Sequence, residues 1–246
     1  MKVFRKQRWQ LAADNKAAKY LRYAIGEIFL VVIGILIALQ VNNWKEDIQN
    51  RKLEKTTLEN IKSDLVLQQG IINEQLQFES VQIAKTDSAD LFLSSSISAG
   101  NLNTLLITLA ERLTFIENKT SYISMDNTGG KKLIRNSSLQ NAIVRYYQQL
   151  DYVTQVINND NLFNTDSEFG AFVTSNSLNI KLNRNGKIDK DQKISPEKRM
   201  ELRNQLVTRK LVSRNIYKLC QNLQEKTKLL IQLIDKELNK NTTHSK

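Results

Sequence analysis

The chain has 246 residues but only one cysteine, one histidine, one proline and eight glycines, and each shortage closes a route. Cys220 alone cannot form an intramolecular disulfide, and Cys220 with His244 cannot furnish a structural zinc site. Scarce proline and glycine leave few obligatory turns, which suits long helices better than a turn-rich β-sandwich. A nucleophile elbow, a phosphate-binding glycine loop and carboxylates at metal-ligand spacing are also missing. The residues therefore point to no cofactor, no metal and no enzyme, and general acid–base work by Asp or Glu is left unsupported.

What is present is charge, unevenly spread. The net +11 divides into +6 over residues 1–22, −5 over residues 23–180 and +10 over residues 181–246. A basic–acidic–basic layout bears on neighbours and not on fold. The basic C-terminal third has two readings. It pairs with the acidic middle inside the fold, which is the preferred one because exposed ion pairs are common. Otherwise it meets anionic lipid or an acidic envelope polymer.

The run Tyr23–Val41, YAIGEIFLVVIGILIALQV, is 19 residues with the single charge Glu27. About 20 mainly apolar residues cross the hydrocarbon as a helix. Tyr20 and Tyr23 on one side and Trp44 on the other are placed as interfacial anchors. No small-residue cleavage site follows the apolar core, so the segment reads as an uncleaved anchor and not a signal peptide. Seven Lys/Arg precede it, against the mixed charges Lys45, Glu46, Asp47, Arg51, Lys52, Glu54 and Lys55 after it. The positive-inside rule puts the N-terminus in the cytoplasm. The expected plan is a basic cytoplasmic amphipathic segment (1–22), a transmembrane helix (23–41), an exported helical domain (42–239) and a disordered tail (240–246).

The stretch Lys19–Glu46, KYLRYAIGEIFLVVIGILIALQVNNWKE, resembles the opening of a family of small bacterial membrane proteins catalogued as a domain of unknown function, family 6090. Thr120–Tyr152, TSYISMDNTGGKKLIRNSSLQNAIVRYYQQLDY, is similar to that family's middle segment, more loosely. The resemblance implies a single-pass protein of the bacterial inner membrane with a helical extracytoplasmic region. It implies no activity.

Within the span, Glu27, Gly34, Ala38 and Val41 fall on one helical stripe. Small residues four apart let helices approach closely, and a carboxyl can hydrogen-bond across the contact. Glu27, Gly34 and Ala38 are therefore candidates for a helix–helix contact, with a homo-oligomer or another envelope membrane protein as partner. The plain alternative is a Glu27 that reaches the headgroups and small residues of no special role. The basic lead adheres to the lipid bilayer. No groove-reading motif accompanies it, so nucleic acid is not an expected partner.

Beyond the span the pattern predicts an all-α domain, an extended antiparallel bundle of long coiled-coil-like helices. The first helix continues to about residue 93 with Leu58, Ile61, Leu65, Ile72, Leu76 and Ile83 at helical spacing, and Gly70 as a candidate bend. A second is expected over 102–117, facing its core with Leu102, Leu105, Leu106, Leu109 and Leu113. A third is expected over 137–160, with Leu139, Ile143, Tyr146, Tyr147 and Leu150. Leu178–Ile188 alternates around Asn185-Gly186, which predicts a small β-hairpin insertion. Ser195-Pro196-Glu197 starts the last helix, running to about 239. Cys220 is expected as a small buried packing residue, the alternative being an intermolecular disulfide. The functional expectation is a membrane-anchored, non-enzymatic structural or interaction component of the cell envelope. The alternative is an extracytoplasmic ligand-sensing bundle that signals through a partner.

Overall fold

The computed structural model describes residues 16–94, 99–175 and 195–243. Among them the fold is all-helical and no strand occurs. The elements are α1 (Lys16–Ser94), α2 (Ala99–Leu109), α3 (Thr120–Asn127), a 3₁₀ turn (Gly130–Leu133), α4 (Ser137–Asp160), a π-helical segment (Asn161–Gly170), α5 (Ala171–Ser175) and α6 (Pro196–Thr243). The expected hairpin over 178–188 lies outside the described residues. The chain divides into two units, residues 1–53 and 54–246.

In the first unit, the apolar run of α1 is exposed among the described residues. Ile28, Phe29, Leu30, Leu36 and Ile37 are each more than half exposed. The best 18-residue window has a mean hydropathy of 2.2 and no buried share, which makes this helix long and apolar enough to cross a membrane.

In the second unit the buried positions of α1 are Glu54, Leu58, Ile61, Leu65, Gln68, Ile72, Gln75, Glu79, Gln82, Thr86, Ala89 and Leu93. They alternate steps of four and three, a period of about 3.5, the spacing that keeps one seam facing a neighbouring helix. Helix α6 repeats the alternation from Leu202 and Leu206 through Ile216 and Leu223 to Ile234. Contacts fix the directions. Asn73 meets Gln224, Lys62 meets Asp235 and Lys210 meets Asp87, so α6 runs antiparallel to α1. Glu54 accepts from the backbone N–H of Arg135, while Glu79 feels the charge of Asp160, so α4 runs parallel to α1. Gly70 lies inside unbroken helix and produces no break.

Helix α4 keeps the same alternation from Leu139 to Ile157, then switches to Asn161, Thr165, Phe169 and Val173, every fourth residue. On an α-helix each step of four drifts by roughly 40°, which would carry Val173 out to solvent. The wider π turns over Asn161–Gly170 absorb that drift and hold the stripe inward.

The expected second helix is corrected. It ends at Leu109, and residues 111–119 are non-helical. Thr114, Phe115 and Ile116 form a β-branched and aromatic run that a helix tolerates poorly, and the surrounding side chains offer its backbone other partners. A further helix, α3, follows, closed by Gly129 with φ +69°. The last helix begins as expected, with Ser195 Oγ accepting from Lys198 N–H at 3.3 Å. It extends through residues 240–243, which the sequence pattern assigns to the tail.

Candidate functional site: a polar belt across the core

Two apolar cores occupy the second unit. One gathers Leu58, Ile72, Ile143, Ile157, Ile216 and Ile234, and the other gathers Ala89, Leu93, Leu102, Phe169 and Leu206. Between them all three long elements turn polar at the same level. Helix α1 contributes Gln75, Glu79, Gln82 and Thr86, the π segment Asn161 and Thr165, and α6 Arg209 and Ser213, all buried. A buried polar group costs a few kcal/mol unless it is hydrogen-bonded, so each needs a reason.

Most of the belt serves the irregular connection after α2. Arg209 donates from Nε to the Leu109 carbonyl at 3.0 Å and from Nη2 to the Glu111 carbonyl at 3.3 Å. Gln82 donates to the Thr108 carbonyl at 3.3 Å, and Asn161 to the Leu113 carbonyl at 2.8 Å. Further along, Gln68 Oε1 accepts from Asn118 N–H at 2.6 Å and Asp64 Oδ2 from Ser121 N–H at 2.7 Å. Side chains thus replace the helical partners that residues 110–119 give up. Buried backbone groups require such partners.

Glu79 is the group this task does not explain. Its Oε1 accepts from Gln75 Nε2 at 2.8 Å. Burial raises its carboxyl above the ordinary value, while the Ser213 hydroxyl, the Arg209 charge and the Gln75 amide pull it back. Arg209 is lowered by the same burial and held up by Glu79, with Ser213 accepting from its Nη1 at 2.7 Å. Gln75 Oε1, Gln82 Oε1 and Thr165 Oγ1 are buried with no hydrogen-bond partner among the described residues. Cys220 is fully buried with a thiol pushed up to about 12 by burial and then by Glu79, as a packing residue should be.

The tyrosine pair belongs to the core. Tyr147 stacks on Tyr122 at 4.1 Å, Tyr146 meets Tyr147 edge-on at 5.2 Å, and the Tyr146 and Thr227 hydroxyls lie 3.0 Å apart. Burial raises both phenols, Tyr146 to about 12. At the surface, Arg203 pairs with Asp90 at 2.7 Å and Lys210 with Asp87, so cations of α6 meet carboxylates of α1.

The residues singled out in the apolar span lie elsewhere. Glu27, Gly34 and Ala38 are exposed along α1, and a Cβ on Gly34 would meet nothing within 4 Å. Trp44 is exposed, while the side chains of Tyr20 and Tyr23 fall outside what the structure describes. Sequence reasoning missed the belt altogether. The signal was there in Gln68, Gln75, Glu79 and Gln82, which occupy the steps left empty between the apolar members of one heptad stripe.

Among the described residues no group of three or more His, Cys, Asp or Glu is placed to hold a metal ion. No curated protein and no solved structure matches the chain. A family match does exist, to DUF6090, described as a family of unknown function, and it covers residues 27–204, from the apolar run into the last helix. The chain therefore belongs to the DUF6090 family.

Proposed function

We propose that this chain is a single-pass protein of the bacterial inner membrane, N-terminus in the cytoplasm, whose helical domain acts outside the cytoplasm as a structural or interaction component of the envelope. It performs no catalysis. The observation that carries this reading is the uncovered apolar run of α1, with a mean hydropathy of 2.2 and no buried share. Exposing that much apolar surface to water costs roughly 25 cal/mol per Å², and a bilayer removes the cost. The coiled-coil-like seams of α1 and α6 and the many exposed charges suit a spacer or docking body better than a pocketed enzyme. The contact stripe Glu27, Gly34 and Ala38 supplies the helix–helix seam for a second copy or another envelope membrane protein.

Alkaline carbonate washing of membranes tests the anchor, and protease added to spheroplasts tests the side. The protein should stay in the pellet, and a C-terminal tag should be digested. Release by carbonate, or a protected tag, overturns the reading. Crosslinking on intact membranes then tests assembly. Adducts that weaken in Glu27→Leu support the seam, and a ladder of monomer alone removes it.

The sensing alternative draws on the belt, where Gln75, Gln82 and Thr165 carry buried atoms with no partner among the described residues. In that reading a partner carries the signal across the membrane.

A further inference from the structure

We infer that the furrow between α4 and α6 is a binding site for a medium-chain fatty acid, an unbranched alkyl chain ending in a carboxylate. The furrow holds about 230 Å³ and is walled by Leu229, Leu230, Leu233 and Ala142, with Tyr146 beneath them. Leu229 is 57% exposed and Leu233 38%, although both point along the furrow and not into a core.

Two cations complete the lining, Arg145 and Lys226, and no carboxylate does. Lys226 donates to the neutral Gln149 amide at 3.1 Å and makes no ion pair among the described residues. Arg145 is exposed and makes no ion pair among the described residues.

The two helices run antiparallel here, since Asn136 meets Glu237 while Tyr146 meets Thr227. Arg145 and Lys226 therefore sit at one end of the furrow, and Leu233 and Ala142 at the other. Lys226 to Leu233 spans roughly 10 Å. A cationic end followed by an apolar trough matches a carboxylate head followed by a chain.

Shape excludes the main competitor. The volume falls below the ~300–1,000 Å³ usual for drug-sized ligands. A partner helix is about 10 Å across with its side chains, and the floor is closed because Tyr146 and Thr227 are already in contact. One alkyl chain fits such a trough.

The test uses the full-length protein in phosphatidylcholine nanodiscs, a photoreactive diazirine analogue of octanoic acid and the methyl ester of the same probe. Labelling should be saturable, competed by unlabelled octanoate and concentrated in residues 142–146 and 226–233. The ester should label those residues about five-fold less, and Arg145→Gln with Lys226→Gln should weaken acid labelling by a similar factor, the size expected for exposed charge contacts. Equal labelling by acid and ester on the wild-type protein overturns the inference, whatever the variants do. So does labelling confined to residues 25–41, which marks partition into lipid only. A photoreactive residue at position 229 that captures only protein in intact membranes also overturns it in favour of a protein partner.

Discussion

Asn158 holds the backbone of Phe115 with both ends of its carboxamide. Its Nδ2 donates to the Phe115 carbonyl at 3.1 Å, and its Oδ1 accepts from the Phe115 N–H at 3.2 Å. One side chain thus reproduces the two-bond exchange of a β-ladder at a point where no strand lies beside it among the described residues. The Phe115 ring is buried in the same stroke. Asn158→Ala should cost about 2–3 kcal/mol, because two half-buried backbone groups lose their partners. Asn158→Asp keeps the acceptor and loses the donor, so it should fall between. Urea denaturation midpoints check the order, and an Asp variant worse than Ala would contradict the geometry.

Arg209 makes the corresponding grip on the end of α2. Arg209→Met removes donors from two carbonyls and from Ser213, and should destabilise by about 3 kcal/mol. Arg209→Lys should recover less than half of that, since a single ammonium cannot reproduce the guanidinium fork. Full recovery of the wild-type midpoint by Lys would show that charge and not geometry matters.

Glu79 gives the fold a pH dependence with a defined sign. Burial raises its carboxyl above 4.5, so the folded state favours the protonated form. The stability this contributes is complete below 4.5 and is lost as pH rises through the raised folded value. Relative to Glu79→Gln, whose amide does not titrate, the wild-type protein should lose stability as pH climbs from 4.5 towards neutrality. Parallel denaturation curves for the two proteins across that range would contradict the assignment.

Gly70 is exposed inside α1, and a Cβ there would meet nothing within 4 Å. Gly70→Ala should therefore stabilise the isolated chain by about 0.5–1 kcal/mol. Calorimetry of the purified protein checks this. A loss of stability would mean that another backbone lies close against that face.

Much of the helical layout could be read from residues alone, and particular positions show why. Leu58, Ile61, Leu65 and Ile72 recur at helical spacing, and all four are buried. Ser195, Pro196 and Glu197 announce the start of α6, where the Glu197 carboxyl is held below its ordinary value by its own backbone N–H and by Ser195. Asn136 acts as a local cap in the same way, accepting from Leu139 N–H at 3.1 Å. The end of α2 was not readable, because Leu105, Leu106, Leu109 and Leu113 continue a helical face past the point where the helix stops. What stops it is a set of donors and acceptors far away in sequence, such as Asn158 and Arg209.

Sequence by itself determined the apolar run, the long helices and their caps, since each depends on residues within a few positions of one another. Tertiary structure alone decided the polar belt, the π turns over Asn161–Gly170 and the furrow beside Tyr146. The physical reason is that a buried Gln, Glu or Arg looks like any solvated residue until the backbone it must satisfy is in place. That backbone comes from a segment that abandons its helix only because those side chains are there to receive it.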